Sequence, residues 1–254
     1  MFAQQRYNDI IDLLNENGSV KVSALIKRFG VSFETVRRDL EYLEKEGYLK
    51  RVHGGAVLDE VNSVELTFTT RETKHTAEKK EIAEIATRFV SEGQSIAMDV
   101  STTNTEIAKA FKKKFERLTI LTNSLPIANE LAEMPNYTII LPGGVLRNQE
   151  LCLVGEMAEK FISQFFIDTF FMSMSGVSLA QGLTDYGIGE IQLKSQMLKQ
   201  AQKAIVVADS SKFDVVSLMK VCNIDQVDSI ITDSNLSEKI RDKYLNNGIQ
   251  IINK

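Results

Sequence analysis

Cysteine and histidine are scarce in this chain, and their scarcity removes whole classes of protein. Among 254 residues only Cys152 and Cys222, His53 and His75 are present. Two distant thiols without CxxC spacing make no secreted disulfide framework, and they suit reduced side chains in a packed interior. Neither histidine has a Cys or His partner at ligand spacing, so no metal and no cofactor is expected. Long apolar runs are missing from the N-terminus as well. The stretch MFAQQRYNDIIDLL is interrupted by Arg6, Asn8, Asp9 and Asp12, which fits neither a signal peptide nor a membrane span. A cytoplasmic protein without membrane contact is expected. Nor does one charge sign dominate: the net charge is −4, which argues against a wholesale nucleic-acid coat.

What is present is an ordinary globular composition, 43% hydrophobic and 25% charged, enough for one large domain or two modest ones. Its charge is unevenly divided. Residues 1–58 carry 9 Lys+Arg against 8 Asp+Glu, and the remainder carries 21 against 26. In the first segment Tyr7, Ile10, Ile11, Leu13 and Leu14 recur at helical spacing over 4–16, and Asn17-Gly18 supplies a stop. Val20 and Val22 alternate around Lys21 as a brief strand. Ser23 is then expected to cap a second helix ending at Gly30, and Ser32 a third that runs to Glu46 with Phe33, Val36, Leu40 and Leu43 inward.

One residue, Val31, separates Gly30 from Ser32. So tight a turn sets the third helix steeply against the second, as a helix entering a DNA major groove about 12 Å wide requires. Ser32, Glu34, Thr35, Arg37 and Arg38 are therefore expected to face DNA. The arginines suit phosphates or guanine edges, and Ser32 and Thr35 suit a phosphate at the helix start. Glu34 can accept from a cytosine amine or simply favour the helix dipole. After Gly47, alternation around Gly54-Gly55 reads as a hairpin, a wing that places Lys50, Arg51 and His53 beside the DNA backbone.

The run VSFETVRRDLEYLEKEGYLKRVHGGA, residues 31–56, resembles the helix-turn-helix signature of the DeoR family of bacterial regulators. Ser32, Thr35, Arg37, Arg38, Asp39, Leu40, Gly47 and His53-Gly54-Gly55-Ala56 fall on that pattern. The resemblance implies sequence-specific operator binding, with Asp39 orienting the arginines.

Residues 58–70 lack a sustained helical period and are expected to form a linker or interface strand. They separate a winged helix-turn-helix over 1–57 from an α/β domain over 71–254. In that domain strand patterns at 95–98, 118–121, 137–141, 169–174, 204–208 and 229–231 alternate with helical ones at 78–89, 103–114, 125–133, 190–203 and 236–246. Open α/β sheets bind small molecules beyond the carboxyl ends of their strands. Four polar loops lie there: Asp99 with Ser101, Thr102 and Thr103; Thr122-Asn123-Ser124; Gly143-Gly144 with Arg147; and Asp209 with Lys212. Their hydroxyls, backbone N–H groups and two cations suit a phosphorylated ligand.

These loops resemble the DeoR-family sensor domain, which is similar to the ribose-phosphate isomerase and CoA-transferase type of fold. Asp99–Thr103 matches the family's Asp-x-Gly-Thr-Thr loop with Ser101 in place of glycine. Gly176, Glu190 and Lys194 also correspond, while Asp185 stands where threonine is common. The resemblance implies a non-enzymatic regulator, a repressor of a carbohydrate-utilisation operon relieved by a phosphorylated sugar or related metabolite. A homodimer or homotetramer is expected, because one recognition helix reads few base pairs. The competing expectation is a phosphosugar isomerase-like enzyme using Asp99, Glu190 or Asp209 as base.

Overall fold

The structure, a computed structural model, describes residues 3–17, 19–45, 48–57 and 67–254. They fall into two compact units, Met1–Leu66 and Thr67–Lys254. The first contains α1 (Ala3–Asn17), β1 (Ser19–Lys21), α2 (Val22–Phe29), α3 (Phe33–Lys45), β2 (Lys50–Val52) and β3 (Gly55–Val57). Ile10, Leu14, Leu25, Val36, Leu40, Leu43 and Leu49 meet in its core, each at most 2% exposed. Burying such side chains stabilises by about 1.5–3 kcal/mol apiece. The three strands form one antiparallel sheet in the order β1-β3-β2.

Two glycines set this unit's corners. Gly30 ends α2 in the left-handed region, φ 64°, and its N–H closes on the Ile26 carbonyl. Gly55 has no room for a Cβ, which would collide with the Val20 carbonyl across the β1–β3 pair. Helix α2 begins at Val22 after Lys21, one residue ahead of the expected Ser23 cap, because the chain passes from β1 directly into the helix. A larger correction concerns Phe33. Expected inward, it is 60% exposed. It is the first residue of α3, about one turn before Val36, and does not join the cluster that Val36 enters.

The second unit begins with α4 (Phe68–Glu72), so the helix occupies part of the segment expected to be a linker. Phe68 accounts for that: it is 2% exposed, packed with Val100, Cys152 and Val154. Residues 58–66 of that expected linker lie outside the described residues. There follow α5 (Thr76–Ala86), β4 (Ser95–Met98), α6 (Thr102–Lys114), β5 (Thr119–Thr122), α7 (Leu125–Leu131) and β6 (Thr138–Ile140). Next come a hairpin of β7 (Val145–Arg147) and β8 (Cys152–Val154), then α8 (Glu156–Ile162) and β9 (Ile167–Ser173). The remainder is β10 (Gly176–Ser178), β11 (Gly182–Asp185), α9 (Ile188–Gln200), β12 (Ala201–Val207), β13 (Met219–Cys222), β14 (Ser229–Ile231), α10 (Glu238–Leu245) and β15 (Ile251–Ile252).

Seven strands make one parallel sheet in the order β15-β14-β12-β9-β4-β5-β6. Strand β9, Ile-Asp-Thr-Phe-Phe-Met-Ser, is buried almost throughout, as a parallel strand covered on both faces must be. Phe111 and Phe171 pack edge to face on one side of the sheet, while Phe170, Leu193 and Met197 belong to the core on the other. Strand order reverses between β4 and β9, and such a switch point opens a crevice at the strands' carboxyl ends. A second sheet, β10-β11-β13, and the β7–β8 hairpin were not anticipated from the sequence. Helix α9 stops at Gln200 rather than 203, where the backbone turns extended to enter β12.

Candidate functional site

In the first unit the residues expected to face DNA stand on the surface of α3 and the wing. Ser32 caps α3, its Oγ accepting the Thr35 N–H at 3.2 Å and lying 2.9 Å from the Thr35 hydroxyl. Arg37 donates twice to Glu34, at 3.1 and 2.9 Å, and lies 3.5 Å from Glu41. Arg38, its side chain 75% exposed, is 3.5 Å from Glu34. Glu34 thus holds both arginines along the helix, and the bond from Arg37 lowers its own pKa. Such solvent-exposed pairs are weak and readily exchanged. In the wing Lys50 and His53 are exposed, whereas Arg51 is tied to Glu44 of α3 by its guanidinium at 2.6 Å and its N–H at 2.8 Å.

Asp39 departs from the expectation that it orients these arginines. It is 3% exposed and pairs in bidentate fashion with Arg6 of α1, at 2.7 and 3.0 Å. Its partner lies 33 residues away, and no local pattern links the two.

In the second unit the ionisable groups gather at the switch point. Asp99 follows β4, Ser173 ends β9, and Lys194 reaches them from α9. Asp99 accepts from the Ser173 N–H at 2.7 Å, from the Ser173 hydroxyl, and from Asn104 Nδ2 at 3.0 Å. The Lys194 ammonium lies 3.1 Å from Asp99, bonds the Ser173 carbonyl at 2.9 Å, and pairs directly with Asp185 of β11. All three charged side chains are nearly inaccessible. Burial pushes Asp99 up despite the opposing lysine. It pushes Asp185 up too, but there the Lys194 charge and the bonds from Lys194, Ser175 and Tyr186 outweigh burial and hold the carboxyl low. Burial likewise lowers the Lys194 pKa, and the two aspartates more than reverse it. Lys194 is therefore a charged strut between two carboxylates.

A second pair stands beside this one. Arg147 at the end of β7 bonds Glu190 in the first turn of α9, so neither is a bare charge. Burial raises the Glu190 pKa against Lys194 and Arg147, and burial next to Glu190 raises the Cys152 thiol far above its usual range. Arg71 of α4 pairs with the buried Glu150 on the same hairpin.

The remaining expected residues divide by what occupies their side chains. Ser101 caps α6 by accepting the Asn104 N–H at 2.9 Å, and Thr102 and Thr103 open that helix, both buried. Thr122 accepts the Ser124 N–H at 3.1 Å, Asn123 bridges Val100 N–H and the Leu153 carbonyl, and Ser124 caps α7. These four bonds brace the loop after β5. Gly143 and Gly144 are exposed, and Gly176 is buried against Thr184 and Val215. Asp209 is buried, its carboxylate accepting the Ser211 N–H and hydroxyl, while Lys212 is half-buried. Two residues escaped the sequence reading: Asp185, whose only signal was its departure from the family's threonine, and Lys79, an invisible lysine in a charged helix.

Among the described residues no helix is long and apolar enough to cross a membrane, and no three His, Cys, Asp or Glu side chains gather as a metal site. Residues 6–62 match the DeoR-like helix-turn-helix domain, and residues 74–234 match the DeoR C-terminal sensor domain. The chain belongs to the DeoR family of transcriptional regulators. The regulator GolR of Listeria innocua is 34% identical to it over 99% of this chain and 98% of its own. The glycerol-3-phosphate regulon repressor of Escherichia coli K12 is 33% identical over 91% and 90%. Among solved structures, ribose 5 phosphate isomerase A from Neisseria gonorrhoeae aligns with TM-score 0.40 and 20% identity over 56% of this chain and 55% of its own. A 4-hydroxybutyrate CoA-transferase from Porphyromonas gingivalis aligns with TM-score 0.42 and 10% identity over 68% and 52%. Relatives that share this DeoR-family chain's full length are regulators of transcription, so it is a DNA-binding regulator and not an isomerase.

Proposed function

We propose that this regulator is a repressor of a carbohydrate-utilisation operon, released from its operator by a phosphorylated sugar or related metabolite, and that it acts in the cytoplasm as a homodimer or homotetramer. What carries this is one observation: the arginine-bearing start of α3 is exposed beside a basic wing, in a chain whose second unit gathers its ionisable groups at a switch point. The printed name of the relative that represses the glycerol-3-phosphate regulon agrees with a phosphorylated effector.

Ser32, Thr35, Arg37, Arg38, Lys50 and His53 contact operator DNA in this proposal. Arg51 serves it by fastening the wing to α3. Phe33 joins them, since an exposed aromatic at the start of a recognition helix suits a thymine methyl. Effector hydroxyls and phosphate bind near Asp99, the start of α6, Arg147, Glu190, Lys194, Asp209 and Lys212. Thr122, Asn123 and Ser124 hold the loops in place. Effector binding changes the spacing of paired DNA-binding heads through residues 58–70, which requires different effector affinities in the two states.

The test is a shift assay with the promoter region of the protein's own operon and a random fragment at physiological salt. Specific binding that a sugar phosphate relieves is the expected result. Equal binding to both fragments rejects the proposal, because backbone attraction alone is blind to sequence.

A further inference from the structure

Helix α8 and its neighbours present an apolar outer face in the second unit. Ala158 and Ile162 turn α8 inward to the core that Leu193 and Met197 of α9 also enter. The opposite side of α8 carries Met157, 75% exposed, and one turn later Phe161, which packs edge to face with Phe165 at 5.0 Å between ring centres. The β7–β8 hairpin meets the start of this helix: Val145 pairs with Val154, and a Cβ at Gly144 would lie 3.5 Å from the Ala158 side chain. The start of α9 joins them, since a Cβ at Gly189 would lie 3.1 Å from the Val154 side chain. Around that junction Val145 is 69% exposed and Ile188 61%, with Leu146 exposed beside Val145.

Single exposed apolar side chains are ordinary, but five of them on three adjoining elements make a patch, and patches mark association surfaces. Charge is thin across it. The exposed hairpin residues 143–146, 148 and 149 are Gly, Gly, Val, Leu, Asn and Gln, and Gln192 follows Ile188 on the outside of α9. Depletion of charge at the centre is characteristic of protein–protein contacts. The charges that are present cancel. Lys160 lies 2.6 Å from Glu156, one turn earlier on α8, with both side chains largely exposed, and Arg147 at the border is held by Glu190. Such a surface offers a polyanion nothing, and it suits a partner of the same balanced charge.

We propose that this face joins two copies of the chain, with α8 antiparallel to the same helix of the partner across a twofold axis, and with the hairpin and the start of α9 enlarging the contact. The proposal rests on the reading of the protein as a homo-oligomer and names the surface that the oligomer uses. The order of residues on α8 is self-complementary. Across a twofold axis residue i of one copy meets residue j of the other, and j meets i. Glu156 and Lys160 lie on one ridge of the helix, Met157 and Phe161 on the next. In the antiparallel pair Glu156 therefore stands opposite the partner's Lys160, and Met157 opposite the partner's Phe161. The ion pair within each helix exchanges for one between helices, so no charge is stranded, while the apolar side chains leave water together.

The experiment uses the full chain and reads self-association by sedimentation over a dilution series. Met157→Glu weakens it roughly 100-fold, the scale for a central anchor lost on both sides of a symmetric contact. Leu245→Glu, at an exposed position of α10 outside the patch, leaves it unchanged. Glu156→Lys and Lys160→Glu each weaken it roughly 10-fold through like charges. An equimolar mixture of these two variants regains the unmodified affinity, because each chain then offers the sign that the other lacks, and repulsion inside a helix cannot be relieved that way. Unchanged self-association in a cooperatively melting Met157→Glu overturns the interface and leaves the homo-oligomer standing. If that variant does not fold, absence of recovery in the mixture overturns it instead. If Met157→Glu keeps its mass and is cut faster by protease within residues 58–66, that segment of the same chain covers the patch and the proposal falls. An unmodified chain that is monomeric at every concentration rejects the homo-oligomer reading itself, and the interface with it.

Discussion

The two units place their charged residues in opposite ways. On α3 the pairs Arg37–Glu34 and Arg38–Glu34 are exposed and three or four residues apart in sequence. In the second unit Asp99, Asp185 and Lys194 are buried and drawn from β4, β11 and α9. A DNA-reading surface must offer its charges to a large polyanion, so they stay solvated and cheap to redirect. A small-molecule sensor must close around its ligand, so its charges leave water and need fixed partners. Arg6–Asp39 is the exception that joins the two, a buried pair inside the DNA-reading unit.

The comparison can be broken at its strongest point first. Lys194→Met strands two buried carboxylates and is expected to cost about 3–5 kcal/mol, measured by urea unfolding of the second unit's transition. Asp39→Ala strands Arg6 and is expected to cost a similar amount, about 3–5 kcal/mol, although it lies in the unit of exposed pairs. A loss below about 1 kcal/mol for either would place that pair with the surface ones.

Gly55→Ala forces a methyl against the Val20 carbonyl and is expected to cost about 1–3 kcal/mol, with the wing disordered and DNA affinity reduced. Arg38→Ala should leave stability within about 0.5 kcal/mol. In DNA titrations across salt, it should weaken binding to all sequences and lower the salt slope by about 1. A change of sequence preference instead would assign Arg38 to a base.

The smallest effect is one of pH. Lys79 titrates near 8 in the folded chain against 10.5 unfolded, so between these values the unfolded state holds more protons. Stability from this group therefore rises with pH across that window. Urea midpoints of the unmodified protein should climb from pH 8 to 10 relative to those of Lys79→Gln, and parallel profiles would show that Lys79 is not desolvated.

Legibility in the sequence followed the same division. Helices α1, α2 and α3 and the wing were read from periodicity, the Gly30 stop and the double glycine, because their determinants lie within a turn or two of one another. In the second unit β4 and β14 were placed at their observed bounds, and the other strands of the sheet that were expected shifted by one to three residues. The strands β7, β8, β10, β11, β13 and β15 were missed, being two to four residues long and without alternation of their own. Asp99, Glu190 and Lys194 were found by loop position and family likeness. Their partners were not, since nothing in the chain near Lys194 points to Asp185 or Ser173.

The sequence by itself determined the order of the units, the turn between α2 and α3, the exposed arginines of α3 and the alternation of strands with helices. These depend on backbone preference and on spacings within one element. Only the tertiary structure decided that Phe33 faces out, that Asp39 holds Arg6, that Asp185 shares Lys194 with Asp99, and that Lys79 lies buried. Each of those depends on which distant segment fills the space beside a side chain and whether water is left there, and burial of that kind is a property of the packed chain.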